Sequence, residues 1–224
     1  SNDGSGGFIV QSDSFPNLRY SALDLIDLNN DTELDLILTG YNYNTSVPNS
    51  RVYTNDGHGS FTEIGIGTLT PVQYGAIDLG DINGDGQIDM ILTGETNSGQ
   101  GFSGIYINDG LGHFSEINAD SLSPTFNSSV DLGDLDGDND LDLILTGSGS
   151  GSKIYLNNGS GSFTETGVGI LNDVNNSSVD LGDIDGDGDL DLILVGYSGT
   201  QVSFIYRNNY NNGGYPAHAN NDNQ

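Results

Sequence analysis

The sequence predicts an all-β chain: a β-propeller of four four-stranded blades, closing as a four-bladed monomer or forming half of a larger ring. Three observations predict it. A unit of roughly fifty residues recurs, a period typical of propellers and solenoids, whose single units cannot bury their own apolar face. Each unit divides into four short runs with a two-residue apolar period, separated by glycine-rich turns. A helical period occurs nowhere. A parallel β-helix is the alternative, but its repeats are usually shorter and it has little use for Asn-Asp-Gly hairpins.

The first strand of each unit is SALDLI (21–26), GAIDLG (75–80) or SSVDLG (128–133 and 177–182). The second carries LILTG, MILTG, LILTG or LILVG, with Leu190, Leu192 and Leu194 on one face and Ile193 on the other. Apolar residues on both faces suit a strand covered on both sides. The third, KIYLNN at 153–158, sets Ile154 and Leu156 against Lys153, Tyr155 and Asn157. NDG or NNG then supplies the positive-φ residues of a hairpin. The fourth strand opens at Phe61, Phe114 and Phe163, and a matching Phe8 precedes the first unit.

The repeat units run roughly 8–60, 61–113, 114–162 and 163–208, with a polar tail at 209–224. Read this way, the chain starts with a fourth strand and ends with a third. Phe8–Gln11 is expected to complete the last blade beside Phe204–Asn208, within one chain or between two chains that share a ring. Residues 2–8 match 55–61 position for position, so the chain opens inside a turn, as though cut from a longer array.

Between the first and second strands lie four acidic loops: DLNNDTELD from Asp27, DINGDGQID from Asp81, DLDGDNDLD from Asp134 and DIDGDGDLD from Asp183. Positions one, three and five offer side-chain oxygens: Asp27, Asn29 and Asp31; Asp81, Asn83 and Asp85; Asp134, Asp136 and Asp138; Asp183, Asp185 and Asp187. Position nine is always aspartate: Asp35, Asp89, Asp142 and Asp191. Position seven varies among Glu33, Gln87, Asp140 and Asp189, as it would if its backbone carbonyl were the ligand. Hard oxygen donors on flexible glycine-containing loops are calcium chemistry. Zinc would call for His or Cys, and the loops contain neither. Unneutralised carboxylates at this density oppose folding, so four copies in register argue for a bound cation.

These residues resemble the FG-GAP family, also known as VCBS repeats, whose best-known members are integrin alpha-subunit propellers. The loops from Asp81, Asp134 and Asp183 carry its D-x-[DN]-G-D-x-x-x-D pattern, and the resemblance spans residues 8–208. It implies a loop joining the first two strands of a blade, with Ca²⁺ held by positions one, three, five and nine and by the carbonyl at seven. It also implies a ring of more blades than four. The first loop departs most, with Asn30 in place of glycine and Thr32 at position six. Asn30 tolerates a left-handed backbone, whereas β-branched Thr32 does so only at a cost.

Asp24, Asp78, Asp131 and Asp180 recur three residues ahead of each loop. They are expected to bond the neighbouring blade's backbone, with support of the metal ligands as the alternative.

The net charge of −28, with only four Lys or Arg, excludes a nucleic-acid surface and disfavours anionic membranes. No apolar stretch approaches membrane-spanning length, no charged segment followed by an apolar one opens the chain, and cysteine is absent. His58, His113 and His218 form no set with a nucleophile, and Glu63, Glu116 and Glu165 merely repeat the fourth strand, so no enzyme is expected. Strand order puts the acidic loops and hairpins on one face. The variable loops, bearing Tyr41, Tyr43, Phe102 and Tyr197, fall on the other, where recognition is expected. The sequence therefore points to a calcium-stabilised, secreted or cell-surface adhesion module that recognises a protein. A carbohydrate-binding lectin is the alternative, and a structural spacer stays open. The partner is a protein or a glycan, with a homodimer sharing one ring as a further arrangement.

Overall fold

The computed structural model describes residues 15–208 apart from 66, 120, 168 and 169. Four antiparallel sheets follow one another along the chain. The first holds β1 (Leu18–Ile26), β2 (Asp35–Asn42), β3 (Val47–Asn55) and β4 (Phe61–Ile64). The second holds β5 (Ile77–Gly80), β6 (Asp89–Glu95), β7 (Gly101–Asn108) and β8 (Phe114–Ile117). The third holds β9 (Thr125–Gly133), β10 (Asp142–Gly149), β11 (Lys153–Asn157) and β12 (Phe163–Thr166). The fourth shows β13 (Asn175–Gly182), β14 (Asp191–Tyr197) and β15 (Gln201–Tyr206) among the described residues. In each, neighbours in the sheet are neighbours in sequence, the up-and-down meander of a propeller blade. The strand beginning at Phe61, Phe114 or Phe163 belongs to the sheet of the three strands before it.

The second strands carry the core, because their alternating Leu and Ile face opposite blades. Ile37 and Val52 of the first blade cluster with Met90, Leu92 and Tyr106 of the second. Ile91 and Ile105 cluster with Leu143, Leu145 and Tyr155, and Ile144 and Ile154 with Leu192, Leu194 and Tyr206. Every junction thus repeats one head-to-tail contact.

Polar bonds reinforce these junctions. Leu132 N–H donates to Asp78 Oδ2 and Leu181 N–H to Asp131 Oδ2, each at 2.6 Å. Two of the four recurrent aspartates therefore bond the next blade's backbone, as expected. Thr93 and Thr146, both buried, share hydrogen bonds of 2.8 Å with Ser128 and Ser177 of the following blade. Thr39 donates instead to the Val72 carbonyl, 2.9 Å away; at the position of those serines the second blade has Gly75.

The two ends of the array differ from its junctions. Leu23 and Leu25 on the first blade are 66% and 47% exposed, beside a satellite cluster of Leu36, Leu38 and Tyr53 with Phe15 and Phe61. On the fourth blade Ile193 and Ile205 are 42% and 59% exposed, although Ile37, Ile91 and Ile144, the counterparts of Ile193, and Val52 and Ile105, counterparts of Ile205, are fully buried. No hydrophobic cluster joins the first blade to the fourth among the described residues. The expected closing strand, Phe8–Gln11, lies outside the described residues, as does the tail from 209. No helix among the described residues is long and apolar enough to cross a membrane.

Candidate metal sites

Each acidic loop turns between the first and second strands of its blade, and backbone bonds to its own carboxylates shape it. Asp134 Oδ1 accepts from Gly137 N (2.7 Å) and Asp138 N (3.1 Å), and its Oδ2 from Asn139 N (3.0 Å). Asp183 repeats the pattern with Gly186, Asp187 and Gly188. Asp81 bonds Asp85 N and Gly86 N, and Asp27 bonds Asn29 N, Asp31 N and Thr32 N. At position five, Asp31, Asp85, Asp138 and Asp187 each accept from the amide two residues on. Such tight winding needs left-handed residues at positions four and six. Gly84 and Gly86, Gly137 and Asn139, and Gly186 and Gly188 supply them. In the first loop Asn30 and Thr32 take the same conformation, with φ of 62° and 74°. For Thr32 this costs about 1–2 kcal/mol, strain that the other loops avoid.

The winding turns carboxylates toward one another. Asp134, Asp136 and Asp138 bring ligand oxygens within 4.8 Å of each other, and so do Asp183, Asp185 and Asp187. In the first two loops position three is Asn29 or Asn83, whose Oδ1 accepts from Asp31 N or Asp85 N. Asp136 Oδ1 is buried with no hydrogen-bond partner. Burial, and then the charge of Asp138, push its carboxyl above the usual carboxylate range. An orphaned carboxylate oxygen between two acids fits a bound cation, which would supply the missing partner. These clusters can chelate a metal ion. In the fourth loop Arg207 forms an ion pair with Asp185 Oδ2, so a protein cation already engages one oxygen there.

Position nine has a second task that the spacing does not reveal. Asp35, Asp89, Asp142 and Asp191 are all fully buried, and each carboxylate bridges two backbone amides. Asp142 Oδ2 accepts from Leu135 N (2.9 Å) and Oδ1 from Asn157 N (2.8 Å). Asp35 pairs with Leu28 and Asn55, Asp89 with Ile82 and Asn108, and Asp191 with Ile184 and Asn208. The acidic loop is thereby tied to the hairpin after the third strand. Burial pushes Asp142 up to about 6 against the opposing pull of its backbone bonds, and raises Asp35 and Asp89 in the same way.

The hairpin asparagines were legible only as turn residues, yet they join blades. Asn108 Nδ2 donates to the carbonyl of Leu28 in the preceding loop and to Ile88 in its own. Asn157 does so with Ile82 and Leu141, and Asn208 reaches Leu135. The recurrence of Asn at this position in all four units was the available signal. Position seven side chains lie over the hairpin glycines instead. A Cβ on Gly57, Gly110 or Gly159 would meet Glu33, Gln87 or Asp140 within 3 Å, and these glycines have φ of 73°, 79° and 72°.

Residues 27–92, 81–145 and 134–194 match the FG-GAP-like repeat, together more than half of the chain. No curated protein sequence matches the chain. The fold is similar to that of an Agrocybe aegerita lectin that specifically recognises non-reducing terminal N-acetylglucosamine, at 20% identity and a TM-score of 0.53, over 83% of this chain and 48% of the lectin. The V. cholerae biofilm matrix protein Bap1 aligns over 88% of this chain and 40% of its own, at 16% identity and a TM-score of 0.41. The chain therefore spans about half the length of the lectin and less of Bap1.

Proposed function

The chain belongs to the FG-GAP-like repeat family, and from that premise we propose that it is a calcium-stabilised extracellular binding module, secreted or held at a cell surface. Repeats of this family are non-catalytic structural and adhesion modules, and the chain is not an enzyme. The observation that carries the calcium reading is the orphaned Asp136 Oδ1 beside Asp134 and Asp138. All-oxygen donors on flexible loops favour Ca²⁺ over Mg²⁺, which demands stricter geometry and keeps more water. Positions one, three and five would ligate through side chains and position seven through its carbonyl. Position nine would contribute directly or by holding the loop to its hairpin. Because each ion would tie two strands of a blade, calcium acts as a structural ligand rather than a signal.

Calorimetric titration of metal-free protein is expected to find about three or four Ca²⁺ ions. The first loop should bind most weakly, because Thr32 holds a strained backbone. Asp35→Ala and Asp191→Ala should each remove one binding event. A stoichiometry below two would overturn the assignment, and an equally tight first loop would overturn only the ranking.

Recognition falls to the opposite face, where Tyr43 and Tyr197 are exposed. A protein partner suits an adhesion module. A carbohydrate is the second reading, favoured by the exposed tyrosines and by the fold shared with a lectin. The exposed apolar ends, Leu23 with Leu25 and Ile193 with Ile205, would meet if two copies shared a ring. Light scattering should then give twice the 23.5 kDa of one chain; a monomer mass would exclude the shared ring.

A further inference from the structure

Each first strand is preceded or interrupted by a residue with left-handed φ: Tyr20 (53°), Tyr74 (51°), Asn127 (47°) and Asn176 (46°). These residues occupy the same place in the repeat, where β1, β9 and β13 shift register against their partners. Backbone bonds link the first three in series, from Tyr74 N to the Tyr20 carbonyl (3.0 Å) and from Asn127 N to the Tyr74 carbonyl (2.6 Å). The fold therefore demands this backbone in every blade. Asparagine adopts it readily, whereas a bulky residue does so at a cost of about 1–2 kcal/mol. Two blades nevertheless carry tyrosine: Tyr20 stays 46% exposed and Tyr74 is half-buried. A bulky aromatic kept at a strained and part-exposed position points to a surface role.

The rings are also arranged. Tyr20 and Tyr74 stack at 4.0 Å and 23° across the first two blades. The Arg19 guanidinium lies 4.9 Å from the Tyr20 centroid and 4.7 Å from that of Tyr41. Of the chain's four Lys and Arg residues, Arg51, Lys153 and Arg207 pair with Glu63, Glu165 and Asp185. Arg19 alone has no carboxylate partner among the described residues. The cluster stands at the start of β1 and the end of β2, where Arg19 is opposite Tyr41, so it lies away from the acidic loops.

We propose that Arg19, Tyr20, Tyr41 and Tyr74 form a binding site for an acidic saccharide, a sugar ring that bears a carboxylate. The guanidinium presents paired N–H donors that match a carboxylate. Contact with two rings holds it in place, so less side-chain freedom is lost on binding. Tyr20 is covered by Tyr74 and Arg19, so the remaining faces of Tyr74 and Tyr41 offer the flat apolar surface for the C–H side of a sugar ring. An acidic peptide side chain would satisfy the arginine and leave those faces bare. The inference rests on the binding-module reading and names the ligand class of its recognition face.

The test uses the full chain loaded with calcium and measures binding by calorimetry. The probes are trigalacturonate and sialyllactose, with neutral lactose and a glutamate-rich peptide as competitors. Carboxylated sugars are expected to bind at least about tenfold tighter than lactose, and Arg19→Gln to abolish that preference. Tyr20→Asn and Tyr74→Asn introduce the residue that the third and fourth blades already use. They should weaken saccharide binding about tenfold while melting no lower than the parent. Glu95→Gln should strengthen it by removing a negative charge from the neighbourhood, since Glu95 pairs through its backbone with Gln73, the residue before Tyr74. Equal affinity for lactose and carboxylated sugars, no saccharide binding, unchanged binding in Arg19→Gln, or preference for the peptide would each overturn the proposal. Failure of the scaffold reading shows separately, as a melt that calcium does not raise.

Discussion

Stripping metal from the protein with EDTA is expected to lower its melting temperature by at least about 10 °C. An ion present at a hundred times its dissociation constant adds about 2.7 kcal/mol of stability if it binds only the folded state. Even the two ions at the carboxylate triads, of the three or four expected, add roughly 5 kcal/mol, and in a chain of this size each kcal/mol moves the melt by about 2–4 °C. The sign of the pH dependence should reverse with the metal. In the metal-free protein, burial raises Asp78 and Asp142 to about 6, above their unfolded value. Their contribution is therefore full below the ordinary carboxylate range and is lost as pH rises through about 6. Metal-free protein should melt higher near pH 5 than near pH 7.5. Loaded protein should do the opposite, because protonation of the loop carboxylates releases the ion. Melting curves across this range, with calcium and with EDTA, check both statements. Parallel curves, or an unchanged melt after confirmed metal removal, would reject a structural role for the ion.

Asp142→Ala is expected to destabilise the protein by about 3–5 kcal/mol, and to do so whether or not calcium is present. The substitution leaves the Leu135 and Asn157 amides without their shared acceptor, and an unsatisfied buried amide costs about 1–3 kcal/mol. Asp140→Ala, two residues earlier, removes a side chain that only overlies Gly159 and should cost far less. Denaturant unfolding of both variants in calcium and in EDTA separates the two roles of position nine. A penalty that vanished in EDTA would make Asp142 a ligand and nothing more.

The strands, their order and the acidic loops were legible because each leaves a local mark: alternation in LILTG, Asn-Asp-Gly at the hairpins, aspartate at every odd position. The strain at Thr32 was legible too, since it follows from one residue set against three aligned copies. The bonds from Asn108 and Asn157 were not, because the carbonyls they reach, at Leu28 and Ile82, lie in another unit and carry no side-chain signature. The Arg19 cluster was missed for a related reason. Its backbone depends on a bulge, and SALDLI looks like an unbroken strand. The contrast of Tyr20 and Tyr74 with Asn127 and Asn176 was visible, but only the left-handed φ gives it meaning.

The hydroxyl bonds between blades have a direction, and it stops at a single residue. Thr39, Thr93 and Thr146 each reach forward to the following blade, but the fourth unit has Val195 at that place. A valine has no hydroxyl, so the fourth unit bonds the third through Ser177 and carries no matching hydroxyl of its own at the threonine position. The units are consequently not interchangeable parts. If the third and fourth were shuffled, Val195 would be buried against a serine that then lacks its partner, a fault worth about 1–3 kcal/mol. One side chain thus sets the fourth unit apart from the three that carry threonine.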